Sequence, residues 1–182
     1  IISTPGGKVT YDGNETIDGV PGTSAKIQIF FSNLAGSNCG SLLPTGNVTD
    51  ILDDLECTLI DNGMPCVMIK ASDFGITGQE SPHQLELNAA VKSAIESIRL
   101  KAGRLMELGD VTKKTVPKMT LVSEPLNGGL LNTRSFIPHR VHASIGVFAA
   151  ITVATACVIP NTVAASLAHL PDGGIYKIEH PS

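Results

Sequence analysis

The segment 141–171 constrains the fold most, because it contains no Asp, Glu, Lys or Arg. Its helical part is predicted over residues 144–159, and Pro160 ends it. That length falls short of the ~20 residues that a transmembrane helix needs. A helix that is apolar on every side has to be enclosed by other elements. We therefore predict a buried helix in a soluble domain, wrapped by a curved sheet or held between layers.

Composition supports a packed core and excludes some partners. The chain has 182 residues, of which 42% are apolar, so it can bury one compact domain with a small extra piece. Its formal net charge is −4, with no basic patch of the kind that binds nucleic acid. We expect neither a nucleic-acid partner nor a membrane span.

The four cysteines are expected to be reduced thiols. Cys39, Cys57, Cys66 and Cys157 show no CxxC or Cys/His spacing, so neither a zinc site nor another metal site is predicted. A domain of this size does not need disulfides. The first residues do not resemble a signal peptide, and a cytoplasmic location is expected. Cys39 has no nearby His, and we interpret it as incidental rather than as a nucleophile.

Hydrophobic patterns predict several strands and two helices. An apolar face at three- and four-residue spacing predicts an amphipathic helix over 85–108, stopped by Gly109. Residues 18–23 and 33–47 are predicted to be irregular. The predicted strands are 8–11, 26–31, 48–51, 56–61, 66–70, 119–123, 132–137 and 175–178.

The entry to the apolar helix, residues 139–147, is the strongest candidate site. Ser144 is predicted to be the N-cap, and Gly146 would let a ligand approach the backbone. First-turn amides carry partial positive charge and bind carboxylates or phosphates. Two His and Arg140 add positive potential. The alternative is an ordinary N-cap without a ligand, because every helix has such amides.

Three further features are weaker candidates. The turn Asn62-Gly63-Met64-Pro65 could present amides and a side chain to a cleft, although a plain hairpin turn is the simpler interpretation. Lys118 precedes an apolar strand, where it could bind an anion or extend its ammonium to solvent. Arg134 could pair with an anion or with an Asp or Glu.

Long motifs resemble one family nearly end to end. That family comprises 4-oxalomesaconate tautomerases and the methylaconitate and methylitaconate isomerases. The stretches that carry the resemblance are Ile17-Asp18-Gly19-Val20-Pro21-Gly22-Thr23, residues 57–67 (CTLIDNGMPCV), residues 109–119 (GDVTKKTVPKM), residues 134–146 (RSFIPHRVHASIG) and Ile178-Glu179-His180-Pro181-Ser182.

The resemblance implies an α+β fold like that of diaminopimelate epimerase. Two similar halves each wrap a mixed, curved β-sheet around a central apolar helix, and the active site lies between them. It implies that residues 33–182 are the second such domain, truncated at its C-terminus, and that residues 1–32 are linking strands from the end of the first half. The missing first half of the polypeptide would supply the Lys and Cys that transfer protons.

The implied function is a cofactor-independent isomerase or tautomerase. It would catalyse an allylic 1,3-proton shift on a small unsaturated polycarboxylate such as 4-oxalomesaconate, or alternatively on aconitate or methylitaconate. Two competing hypotheses are a non-catalytic anion-binding module and an inert fragment, and this chain alone is expected to be inactive. A homodimer is left open.

The resemblance leaves the catalytic residues unknown in this half and implies substrate binding by its candidate residues. Ser144 stands where the epimerases carry a catalytic Cys, and Met64 stands where related enzymes carry Asn. A two-thiol mechanism is therefore not implied. The expected substrate-binding residues are Ser144, Ile145, Gly146, Asn62, Gly63, Met64, Lys118, Arg134 and His142.

Overall fold

A computed structural model describes residues 1–17 and 20–180 of the chain. It divides the chain into two compact units, Ile1–Asn33 and Leu34–Ser182. Each unit has its own sheet. The assignment of the first unit to the end of another half stays a prediction.

The first unit is a small hairpin, and its strands are not the predicted ones. Strand β1 (Glu15–Ile17) pairs antiparallel with β2 (Val20–Ser24). The predicted strands 8–11 and 26–31 are wrong. Residues 26–31 form one isolated bridge, between Ile27 and Ile2, and Ile29 and Phe30 are exposed. β-Branched and aromatic residues favour strands only where a pairing neighbour is available. The loop predicted over 18–23 is wrong for residues 20–23, which belong to β2, and Asp18 and Gly19 lie outside the described residues.

The second unit contains a six-stranded mixed sheet in the order β3-β4-β5-β6-β7-β8. The pairs β5–β6 and β7–β8 are parallel, and the other three are antiparallel. Four predicted strands are confirmed to within one residue at each end, whereas those at 48–51 and 175–178 are displaced. The strands are β3 (Asp50–Leu52), β4 (Leu55–Asp61), β5 (Pro65–Lys70), β6 (Lys118–Ser123), β7 (Leu131–Phe136) and β8 (Ile178–Glu179).

The amphipathic helix predicted over 85–108 is two helices divided at Asn88, and it ends earlier than predicted. Helix α1 (Pro82–Leu87) has a capping box between Ser81 and Gln84. Helix α2 (Ala89–Leu105) starts anew because the Asn88 side chain accepts a hydrogen bond from the Val91 amide. Glu107, with a φ of 58°, turns the chain two residues before the expected stop at Gly109.

The apolar helix α3 (Val147–Val158) and helix α2 cover opposite faces of the sheet. The β5 side chains alternate accordingly: Val67 and Ile69 pack in the α2 core, and Cys66 and Met68 pack in the α3 core. Both faces are therefore buried, and the α+β class with its mixed sheet is confirmed. Helix α3 lies on the sheet rather than being enclosed on every side. Val147 and Val158 are 67% and 45% exposed, because α3 covers one sheet face and no second layer of the described chain lies over these two residues.

Two searches of residues 1–17 and 20–180 gave negative results. None of the helices there combines the length and hydrophobicity that crossing a bilayer requires. No group of three or more His, Cys, Asp or Glu in this part of the chain is arranged to hold a metal ion.

A buried arginine attaches α2 to the loop that leads into β6. Arg99 is fully buried and pairs with both carboxylate oxygens of Glu96, at 2.7 and 2.8 Å. Its Nη1 donates to the carbonyl oxygens of Val111, Lys114 and Val116, at 3.0 to 3.3 Å. The guanidinium thereby satisfies three carbonyls of a segment that has no regular secondary structure.

Replacing this guanidinium is expected to be costly. Arg99→Ala leaves buried carbonyls and the Glu96 carboxylate without their donor, so the free energy of unfolding should fall by about 3–5 kcal/mol. Urea denaturation monitored by circular dichroism measures this change. Arg104→Ala, at an exposed position of the same helix, is the matched control and should change stability by less than about 0.5 kcal/mol. Equal effects of the two variants would contradict the assigned role of Arg99.

Candidate active site

A cavity of about 160 Å³ lies where the N-terminus of α3 meets the sheet in the second unit. Four of the nine expected substrate-binding residues line it: Met64, Lys118, His142 and Gly146. The lining also includes Ser135, Val147, Phe148 and Ala149. The sequence analysis therefore identified four of the eight residues that line the cavity and missed the other four.

Strand register brings the sheet residues of the cavity together. Cys66 of β5 is the register partner of Lys118 in β6, and Thr120 of β6 is the partner of Ser135 in β7. Side chains alternate along a strand, so Lys118, Thr120 and Ser135 share the face that α3 covers. Met64 immediately precedes β5 and completes the floor at the turn.

Lys118 brings a partly buried positive charge to this cavity. Burial lowers the pKa of its ammonium, and the neighbouring Cys66 acts in the opposite direction. Among the described residues, the ion pairs to Asp or Glu do not include Lys118. A desolvated ammonium without a carboxylate partner attracts an anion strongly.

The start of α3 differs from the prediction. The N-cap is Gly146, and no side chain caps the first turn. Ser144 is exposed and lies two residues earlier, where its backbone amide donates to Nδ1 of His142 at 3.3 Å. The prediction of Ser144 as N-cap is wrong, because the chain has not yet become helical there. The space beside Gly146 is open, since an added Cβ would meet nothing within 4 Å.

His142 is fixed from two sides. Its amide donates to the carbonyl of Ser135 at 2.7 Å, where the chain returns along β7. Its own carbonyl accepts from Nε2 of His180 at 3.1 Å, and Nδ1 of His180 lies 3.0 Å from the Thr133 hydroxyl. Burial lowers the pKa of His180. A neutral His180 thus holds the cavity-lining segment against the sheet.

The turn before β5 is attached to α3 and not open to a ligand on all sides. Asn62 donates to the Thr155 hydroxyl at 2.8 Å, and Thr152 donates to the carbonyls of Asn62 and Met64. Gly63 has a φ of 90°, and a Cβ there would lie 3.0 Å from the Phe148 ring. Asn62 and Gly63 therefore position α3, and Met64 is the residue of this turn that lines the cavity.

Arg134 and Ile145 do not line the cavity. Arg134 alternates with Ser135 along β7, so it lies on the α2 face of the sheet, 2% exposed. Its Nη2 is 3.4 Å from the Gln79 carbonyl, and burial lowers the pKa of the guanidinium. Ile145 packs against the α3 core. Of the predicted anion-binding cations, the structure brings Lys118 to the cavity and leaves Arg134 behind the sheet.

Ser135 and the first turn of α3 were missed, although the sequence carried a signal for each. Ser135 follows from strict alternation along β7 once Arg134 is placed on the opposite face. Val147, Phe148 and Ala149 follow from moving the helix start from Ser144 to Val147. The later start was missed because Ser144 has the usual chemistry of an N-cap.

All four cysteines are free and buried, and none lines the cavity. Burial raises the pKa of each thiol to about 12, and at Cys39 the nearby Asp61 carboxylate adds to this effect. Asp61 accepts hydrogen bonds from the amides of Asn38 and Cys39, at 2.6 and 2.9 Å. Cys39 is therefore part of a structural loop attachment, and its thiol stays protonated at neutral pH.

Comparison with known proteins gives a consistent set of relatives. The family model described as PrpF protein matches residues 1–182. The chain is 57% identical to the (4E)-oxalomesaconate Delta-isomerase of Novosphingobium sp. (strain KA1), covering all of this chain and 51% of the relative. It is 52% identical to the 4-oxalomesaconate tautomerase of Pseudomonas putida, with the same coverage.

A solved structure agrees with these relatives. The crystal structure of methylitaconate-delta-isomerase superposes with a TM-score of 0.83 at 28% identity, covering 97% of this chain and 52% of that one. The diaminopimelate-epimerase-like fold is thereby confirmed. The chain spans about half the length of the curated relatives it matches.

The state of the thiols can be checked directly. In the native protein at pH 8, Ellman's reagent should react slowly with all four cysteines, because each is buried and has a pKa raised to about 12. In guanidinium chloride all four should react at once, which is the control for reagent and thiol content. Rapid reaction of one native thiol would contradict the burial described above.

Proposed function

We propose that this chain, which belongs to the PrpF protein family, takes part in an allylic isomerisation. Its cavity binds one carboxylate of a small unsaturated polycarboxylate during that reaction. The substrate class is that of 4-oxalomesaconate, and the enzyme is a cofactor-independent isomerase or tautomerase. The names of the two relatives above 50% identity support this class. The four free thiols support a reducing, cytoplasmic setting.

The observation that carries the proposal is the convergence of two positive features on one cavity. Lys118 lines it from the sheet, and the first turn of α3, which no side chain caps, lines it from the helix. Each favours an anion independently, through a full charge and through the helix dipole. Met64, Val147 and Ala149 supply an apolar wall suited to the carbon skeleton beside the carboxylate.

In the proposed reaction a base removes a proton from the carbon next to a carbonyl or carboxylate. The resulting dienolate spreads its negative charge onto oxygen, and an acid returns a proton two carbons away. The residues of this chain hold the charged oxygens: Lys118 by its charge, and the backbone at Gly146 by its amides. We assign the base and the acid to the part of the relatives' length that this chain does not match.

The remaining expected residues take lesser roles in this proposal. His142 borders the cavity as a hydrogen-bonding group, and Ser144 and Ile145 present the segment that precedes α3. Asn62 and Gly63 set the position of the helix, as described above. Arg134 has no contact with the bound carboxylate in this arrangement.

A second candidate substrate is methylitaconate, favoured by the similarity to methylitaconate-delta-isomerase. Both 4-oxalomesaconate and methylitaconate carry the carboxylate that this cavity would bind, so other parts of the active site would discriminate between them. Turnover of the full-length protein with 4-oxalomesaconate, aconitate and methylitaconate measures the preference. No turnover of any of the three would contradict an isomerase, and anion binding without turnover would favour a binding module.

Gly146→Val tests the approach of the ligand to the helix. Its added side chain has open space in the protein, so the melting temperature should fall only by about 2–4 °C, since Val is a poorer N-cap than Gly by about 1 kcal/mol. It would occupy the place of the carboxylate, so kcat/KM should fall by about 100-fold or more. Gly173→Val is the matched control, since it too meets nothing within 4 Å and is distant in sequence. Unchanged kcat/KM in Gly146→Val would refute the assigned binding position.

Lys118→Met tests the charge at nearly constant side-chain length. We expect KM to rise by about 10- to 100-fold, because a charge-assisted contact is lost. A polycarboxylate such as aconitate should raise the melting temperature of the wild type by mass action and should raise that of this variant much less. Lys113→Met, at an exposed position, should behave as wild type. An equal ligand-induced shift in both variants would remove Lys118 from the site.

A further inference from the structure

We infer that Ser135 is a further substrate-binding residue, whose hydroxyl donates a hydrogen bond to the carboxylate in the cavity. This inference rests on the proposed function and adds a contact to that site. Ser135 lies on β7 between two residues of the opposite sheet face, and its neighbour across the strands is Thr120. It lines the cavity together with Lys118 and is only 3% exposed.

The hydroxyls of Ser135 and Thr120 form a pair. Their oxygens are 3.3 Å apart, so one hydroxyl donates to the other. Each has one proton, and this single hydrogen bond uses one of the two. Within the described residues neither side-chain oxygen has another hydrogen bond. One hydroxyl proton is therefore not used in this hydrogen bond. Whether it belongs to Ser135 or to Thr120 decides whether the pair can donate to a ligand in the cavity.

Burial assigns the spare donor to Ser135. Thr120 is fully buried and does not line the cavity, so a proton directed away from Ser135 would have no acceptor. An unsatisfied buried donor costs about 1–3 kcal/mol. Thr120 therefore donates to Ser135, and the Ser135 proton points to the cavity. Thr120 acts as a positioning residue that fixes the direction of its neighbour.

The polar groups around Ser135 are donors as well. Nδ1 of His142 accepts from the Ser144 amide, which leaves Nε2 as the donor of that ring. Lys118 contributes an ammonium, and the described residues that line the cavity include no Asp or Glu. A group that accepts from several donors at once is required, and a carboxylate oxygen has this property. The Ser135 hydroxyl and the Lys118 ammonium are thus both donors suited to the same carboxylate.

Ser135→Ala in the full-length protein tests the contact. We expect KM for the polycarboxylate to rise by about 10-fold or more, with a smaller change in kcat. The melting temperature should fall, because the buried Thr120 hydroxyl loses its acceptor. Thr120→Val is the comparison variant. It removes the hydroxyl that positions Ser135 but does not touch the ligand, so its KM should rise clearly less than that of Ser135→Ala. Ser135→Cys keeps the volume with a weaker donor, and its KM should be raised as well.

Three results would overturn the inference. One is an unchanged KM in Ser135→Ala, and another is an equal rise in KM in Ser135→Ala and Thr120→Val, which would make the pair merely structural. If Ser135→Ala does not fold, a wild-type KM in Ser135→Cys overturns it equally. A wild-type protein that neither binds nor converts a polycarboxylate contradicts the proposed function itself, whereas an active wild type with an unaffected Ser135→Ala removes only this residue.

Discussion

The register of β6 between its two neighbours is the constraint on which the site depends. Side chains alternate between the α2 and α3 faces, so a slip of one residue would carry Lys118 and Ser135 to the wrong side of the sheet. Both faces are buried, so a slip would also exchange the side chains of the two cores and disrupt their packing. The packing of the two hydrophobic cores therefore fixes the register that positions Lys118 and Ser135, although neither residue belongs to a core.

The cavity combines a polar end with an apolar wall, and these come from different elements. The sheet contributes the ammonium and the hydroxyl, whereas α3 contributes backbone amides and the side chains of Val147 and Ala149. Lys118 is reached through a loop that Arg99 attaches to α2, so the helix on the far face also supports the position of the charge. Neither layer alone would form this cavity.

The sequence was informative where local patterns and tertiary packing agree. The central strands β4 to β7 could be predicted closely, because their apolar runs are bounded by turn residues and buried on both sides. Residues 26–31 were wrongly predicted as a strand, since their composition favours one but no neighbouring strand pairs with them. Ser144 was mistaken for the N-cap for a related reason: its side chain suits that role, but the return of the chain along β7 delays the helix to Val147.

The hydrogen bonds between α3 and the turn before β5 have a consequence for selectivity. Thr152 and Thr155 attach the helix to Asn62 and Met64, so α3 cannot slide along its axis without breaking them. The separation between the helix start and Lys118 is thereby held constant. For the carboxylate ligand proposed above, these fixed ends imply selection by length: an acidic arm that spans the gap would bind, and one that is a methylene longer or shorter would bind more weakly.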